Sequence, residues 1–377
     1  VSARSALRPA LAGAASLLST IGLARFGYVP LFPALVAGGW VDGGQAGVLG
    51  ATTLAGHLVG ALAAPAAGAR LGVRRALDLG MAFATISLLA CALPFGFFWL
   101  LLWRGMAGIA GGLAISLAGP AVQAVTPEGR RGQAGGIVIA GVGAGIILVS
   151  IVVPLLLSAG VAATWLGSGL LAAALWAFAH PSWPDPPSLP DAAGASPAAP
   201  GGFAGTLILA YGFSAAGMAA PMVYLADLAV RGHGMALSAG GLVWALFGVG
   251  AALGTMTGGR AVDRLGRWAM ALWMGAQVAG LGFALVPHPA AVLPAALLSG
   301  FSGIGITAVA LGRLRAEAGP ATGRFWSRAT AVYAAAQAVT GYGFAWLFAA
   351  FGNQHMPVFL AGLLLSLAGL AVALRRG

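Results

Sequence analysis

Twelve apolar segments follow one another through this 377-residue chain with only short breaks, at residues 9–36, 43–68, 76–93, 97–124, 133–158, 161–180, 203–228, 236–258, 268–286, 290–312, 325–350 and 356–374. About 20 mostly apolar residues cross a bilayer as a helix, and nearly every segment is that long. Only 7% of the residues are charged, whereas a water-facing surface needs about a quarter. A soluble enzyme, a nucleic-acid-binding domain and a disordered protein are therefore excluded. In lipid each segment must satisfy its own backbone polar groups. The expected fold class is thus all-α integral membrane, with twelve transmembrane helices. Arg4 and Arg8 precede the first segment as in a secretory signal, but its apolar run passes Ala12-Gly13-Ala14 unbroken and is read as span one. Cys91 is the single cysteine, which removes any intrachain disulfide or cysteine-built metal site. No metal, cofactor or nucleic acid is expected.

The net charge of +11 is a matter of topology. All nineteen basic residues are arginine. With the N-terminus placed in the cytoplasm, sixteen of them fall inside, Arg231 alone falls outside, and Arg25 and Arg104 lie within spans. The positive-inside rule then fixes both termini as cytoplasmic and the span count as even. Residues 181–202 are rich in Pro, Ala and Gly and read as a cytoplasmic linker. They separate a six-span bundle at 1–180 from another at 203–377.

The halves repeat. Arg70-Leu71-Gly72-Val73-Arg74 follows span two, and Arg264-Leu265-Gly266-Arg267 follows span eight, 194 residues later. Gly108 of span four and Gly303 of span ten are 195 apart, and Pro30 and Pro221 are 191 apart. Duplicated halves are a transporter plan. Gly259-Arg260-Ala261-Val262-Asp263-Arg264-Leu265-Gly266-Arg267 matches the G-x-x-x-D-R-x-G-R loop motif, and on it the chain resembles the major facilitator superfamily. The segments Gly22-Leu23-Ala24-Arg25-Phe26-Gly27-Tyr28-Val29-Pro30-Leu31-Phe32-Pro33, Gly56-His57-Leu58-Val59-Gly60-Ala61-Leu62 and Ala140-Gly141-Val142-Gly143-Ala144-Gly145-Ile146 are similar to its YbfB/YjiJ-type branch. The resemblance covers nearly the whole chain. It implies two pseudo-symmetric six-helix bundles in a bacterial cytoplasmic (inner) membrane, and a monomer. It also implies gating roles for Asp263, Arg264 and Arg267, and for Arg70 and Arg74 in the N-half copy. That copy has Ala69 in place of the motif's aspartate and Pro65 in place of its first glycine.

Polar residues inside spans are the candidate site. Arg25 sits near the middle of span one, where an arginine costs about 2.5–3.5 kcal/mol. No Asp or Glu is read as deep in a span. Either an anionic substrate supplies its counter-charge, or Arg25 bonds backbone carbonyls and Tyr or Gln side chains. Tyr28, three residues on, shares its face and is placed on the same ligand. Arg104, Gly108 and Gly111 share a face of span four. Arg104 either contacts substrate or snorkels to the outer interface. Tyr211, Tyr224, Tyr333 and Gln337 complete the substrate-binding candidates, each tyrosine being otherwise a core aromatic. His57 in span two is the proton-coupling candidate by elimination, or else a packed histidine. Asp42 and Asp227, read at outer span ends, stand in reserve, or else as solvated loop residues. His180, His233, His288 and His355 read as isolated. Gly56/Gly60 and Gly141/Gly145 read as close helix crossings. Pro30 and Pro33 end or bend span one, and Pro154 bends span five.

The leading expectation is a secondary carrier of a small organic anion, a carboxylate by preference, working by alternating access. The chain has no ATP-binding motif, so an ion or substrate gradient must drive it. The alternative is an exporter of neutral sugar-like or amphipathic solutes with Arg25 structural. A non-transporting receptor or scaffold is more distant. No nucleophile–base or metal constellation points to an enzyme.

Overall fold

The computed structural model describes residues 3–183, 202–319 and 322–375. Among the described residues there are helices and turns but no strand. The chain falls into two compact units, Val1–Pro190 and Asp191–Gly377. Residues 184–201, most of the expected linker, lie outside the described residues.

Span one is built in three pieces: α1 (Ala3–Leu17), a π-helical stretch (Leu18–Phe26) and α2 (Tyr28–Ala37). The first unit continues with α3 (Gly43–Leu71), α4 (Val73–Cys91), α5 (Phe97–Ala124), α6 (Arg131–Leu157) and α7 (Val161–Ala179). The second unit holds α8 (Gly202–Asp227), extended by a π-helical turn (Leu228–Gly232), then α9 (Ala239–Leu265), α10 (Trp268–Ala284), α11 (Val292–Ala318), α12 (Thr322–Ala350) and α13 (His355–Arg375). These are the twelve expected spans. By length and apolar composition, nine of the described helical stretches could cross a membrane unaided. Of the others, α10 has 17 residues, α4 opens on Arg74, Arg75 and Asp78, and α12 carries Arg328, Tyr333 and Gln337.

The helix pairing is the same in both units. In the first, α5 packs on α3 and α4, α4 on α7, and span one on α6. In the second, α11 packs on α9 and α10, α10 on α13, and α8 on α12. Glycine makes the tightest of these contacts possible. A Cβ at Gly60 would run into the Ile109 carbonyl, and one at Gly254 into that of Phe301. Gly60 and Gly254 are 194 residues apart, so the repeat read from the loops extends into the packing. The crossings read at Gly56/Gly60 and Gly141/Gly145 are close contacts, on α5 and on span one respectively. Gly72 and Gly266, at φ +82° and +53°, turn the chain after α3 and α9. Those angles favour a residue without Cβ, which accounts for the shared Leu-Gly of the two loops.

Candidate functional site

The first unit's site is organised by the irregular middle of span one. Thr20 returns its hydroxyl to the Ser16 carbonyl at 2.8 Å, a local bond that competes with the helical ladder. Pro30 has no N–H, so an α-ladder cannot run through this turn unbroken. The stretch 18–26 takes up π-helical bonding instead, and the Gly27 N–H reaches both Gly22 O (3.0 Å) and Leu23 O (3.2 Å). Such bulges recur at functional sites.

Arg104 points into this region. It is 1% exposed, which overturns the reading in which it snorkels to an interface: its place on α5 turns it inward, onto span one. Nη1 donates to the Ala24 carbonyl at 2.6 Å. The guanidinium lies over the rings of Tyr28 (4.5 Å) and Trp165 (5.8 Å). Nε and Nη2 are buried and make no hydrogen bond among the described residues. These two nitrogens form one edge of the guanidinium, the geometry that grips a carboxylate through two parallel bonds.

Tyr28 is also buried, and its hydroxyl donates to the Ala46 carbonyl at 2.7 Å. Its ring serves Arg104. Arg25 is half-buried beside the Phe26 ring, 5.2 Å away. The placing of Arg25 and Tyr28 on one face assumed an α-helical turn, and the chain here takes a five-residue step, Gly27 N–H to Gly22 O, with Gly27 itself helical. His57 of α3 lies close enough to Arg25 to interact electrostatically. Its buried Nδ1 makes no hydrogen bond among the described residues. A Cβ at Gly111 would sit 3.2 Å from that nitrogen and 3.3 Å from the Thr20 carbonyl. Glycine there leaves room for the imidazole between α5 and span one. No carboxylate is buried among this unit's described residues. Asp42 is exposed and caps α3, accepting from the Gln45 N–H at 2.7 Å.

The second unit separates its candidates into two groups. Tyr211, Tyr333 and Gln337 come together: the tyrosine rings are 4.4 Å apart, Tyr211 Oη meets Thr307 Oγ1 at 3.0 Å, and Gln337 Nε2 donates to Tyr333 Oη at 3.4 Å. Tyr224 belongs elsewhere, against Phe348 at 4.8 Å. Beside it is Asp227, wholly buried. Its reading as a solvated span end is overturned, because the π-helical turn carries the helix on to Gly232 and the chain closes over it. Arg231 donates Nε to Oδ1 and Nη2 to Oδ2, both at 2.6 Å, and His355 Nε2 lies 2.7 Å from Oδ2.

His355 is therefore not isolated. Neither is His180, which shares Asp78 Oδ1 with the indole N–H groups of Trp176 and Trp183, at 2.9–3.0 Å. The sequence reading also missed Gln277, which bonds Ser214 (2.6 Å) and Ser366 (2.8 Å) in the core. Buried serines and a glutamine on three apolar helices were the available signal. At the loops, Arg74 donates to the His180 carbonyl at 3.4 Å and Arg267 lies 5.0 Å from the Trp268 ring. Asp263, Arg264 and Arg70 are exposed. Asp263 makes no ion pair among the described residues.

Residues 17–373 match the family model described as the uncharacterised MFS-type transporter YbfB. A comparison with curated proteins finds no match. Among solved structures the chain is similar to a point mutant of the nucleoside transporter NupG, at 13% identity and TM-score 0.79, covering 97% of this chain and 99% of that one. It is similar to a bacterial homologue of the human lysosomal transporter Spinster, at 16% identity and TM-score 0.73, covering 99% and 97%. It is also similar to the xylose transporter XylE from E. coli, at 17% identity and TM-score 0.69, covering 97% of each chain. At these identities the likeness establishes the fold.

Proposed function

The chain belongs to the family of the MFS-type transporter YbfB, within the major facilitator superfamily, and on that premise we propose that it carries a small organic anion, a carboxylate by preference. The observation that carries the reading is Arg104, buried with its Nε/Nη2 edge open in a unit that buries no carboxylate among its described residues. A guanidinium in a dry site attracts an anion strongly, and leaving it unmatched is costly. A substrate carboxylate would complete it. Reaching Arg104 requires span one to move, and span one has the π-helical stretch, Gly27 and two prolines to move with. Arg25, half-buried on span one, serves as a second positive charge for the anion. Transport is by alternating access, with His57 kept as the proton-coupling candidate of the same unit. The motif residues Asp263, Arg264 and Arg267, with Arg70 and Arg74, act as the gate. The arginine census supports cytoplasmic termini in an inner membrane, and a cysteine at Ser196, with Cys91 removed, should resist impermeant thiol reagents in intact cells.

A second reading keeps Arg104 structural, held by the Ala24 carbonyl and two aromatic faces, in a carrier of neutral solutes. Thermal-shift screening of small carboxylates and neutral sugars on purified protein separates the two, since a ligand of the folded state raises apparent stability. Carboxylates should shift the wild type and leave Arg104→Ala unmoved. Near-normal carboxylate affinity in folded Arg104→Ala sinks the anion reading and favours the neutral-solute one.

A further inference from the structure

The second unit gathers ionisable groups at one corner, where span seven ends and span twelve begins. Asp227 closes α8, Arg231 lies in the π-helical turn that follows, and His355 is the first residue of α13. Arg231 and His355 between them occupy both carboxylate oxygens. Phe348 backs the cluster, with Tyr224, His355 and Arg231 all within 6 Å of its ring. The turn itself is held by the His233 N–H on Leu228 O (2.9 Å) and the Met235 N–H on Ala229 O (3.1 Å). It sits directly on the imidazole, since a Cβ at Gly232 would lie 3.1 Å from His355 Nδ1.

Every titratable or charged neighbour bears on the charge this corner can hold. Tyr224 from α8 feels Asp227. His233 from the loop feels both His355 and His288, the latter from the connection before α11. Burial, with those two imidazoles beside it, holds His233 below the ordinary histidine range. α9 also packs on the turn, but Arg260, Asp263 and Arg264 lie at its far end. α12 contributes the Phe348 ring to the contacts here. Among the described residues no three His, Cys, Asp or Glu side chains converge as a metal site.

We propose that the Asp227–His355 pair is a proton-binding site, and that with Arg231 it forms a clasp which one proton opens. With His355 neutral, the carboxylate and Arg231 cancel, and the closed clasp carries no net charge. A proton taken from water belongs to the coupled pair and leaves the cluster at +1, beside two further imidazoles. Asp227 and His355 are both buried, which disfavours that charge, and hydration accommodates it. Proton uptake and opening are therefore linked, and lower pH favours the open turn. The chemistry does not depend on which solute is carried.

Hydrogen exchange of amides 228–235 in the purified protein, corrected for the intrinsic pH dependence, reads the clasp without any ligand. As pH falls, protection of these amides should drop about tenfold or more, while α9 amides hold theirs. Asp227→Asn should be open at every pH. His355→Gln keeps a donor toward Oδ2 and cannot titrate, so it should fold and stay closed at acid pH even if Asp227→Asn fails to fold. Protection that is flat with pH in the wild type overturns the proposal. So does a transition that survives in His355→Gln but disappears when His233 and His288 are both replaced by Gln. Failure here leaves the carboxylate reading of Arg104 standing, and the reverse holds too.

Discussion

The two units use the same piece of chemistry in opposite ways. In the second, Arg231 offers its Nε/Nη2 edge to Asp227, and both nitrogens are matched at 2.6 Å. In the first, Arg104 presents the same edge, buried, with no hydrogen bond to either nitrogen among the described residues. The surrounding helices pair alike, so the difference does not come from the fold. One unit has closed its guanidinium with its own carboxylate, and the other buries no carboxylate among its described residues. The lesson is that a repeated scaffold can match a guanidinium edge with a carboxylate in one half and leave it unmatched, among the described residues, in the other.

The contrast can be broken at several points, beginning with the closed lock. Asp227→Ala removes the carboxylate and strands Arg231 and His355, which should destabilise the second unit by about 3–5 kcal/mol. Chemical denaturation of the purified variant measures this, and a loss under about 1 kcal/mol would mean the triad is not the buried network described. At the open lock the sign should reverse. Arg104→Met should leave stability equal or raise it, because an unmatched buried charge is replaced by an apolar chain, and yet carboxylate binding should fall at least about a hundredfold, that is ~2.7 kcal/mol. Ligand titration alongside a melting curve checks both halves of that statement.

Glycine packing tests whether the scaffold is truly shared. Gly60→Ala and Gly254→Ala each press a Cβ onto a carbonyl oxygen of the facing helix and should each cost about 1–3 kcal/mol by overpacking. Similar losses would uphold the equivalence of the two crossings, and a large loss in one alone would break it. Arg25→Lys keeps the charge but loses the planar fork, so anion affinity should weaken about tenfold, less than at Arg104. The smallest stability effect belongs to Asp263→Asn. Asp263 is exposed and makes no ion pair among the described residues, so the melting temperature should not move. Transport should still fall, more than for any change at Ala69, if the motif acts on the balance of open states. Unchanged transport would remove the gate from the proposal.

Much of this protein is legible in its sequence. Apolar run length alone placed twelve spans, because a helix in lipid must be about as long as the hydrocarbon is thick. Loop glycines and arginines exposed the duplication, because a turn after α3 or α9 needs a residue that tolerates positive φ. Side-chain partners were less legible. The reading of Arg25 and Tyr28 as face-sharing assumed a 3.6-residue period, which does not anticipate the π-helical stretch Leu18–Phe26. Asp227 looked like a solvated end for a related reason, since nothing in Leu228-Ala229-Val230-Arg231-Gly232 announces that the helix continues.

The sequence by itself determined that the chain lives in a membrane, how many times it crosses, and that it is built twice. Each of these follows from local composition and period, which a one-dimensional string carries in full. Only the tertiary structure decided which charges are matched. Arg104 meets Ala24 from 80 positions away and His355 meets Asp227 from 128. In a medium that hydrates nothing, the value of a charge lies wholly in the group it touches, and helix packing is what brings that group to it.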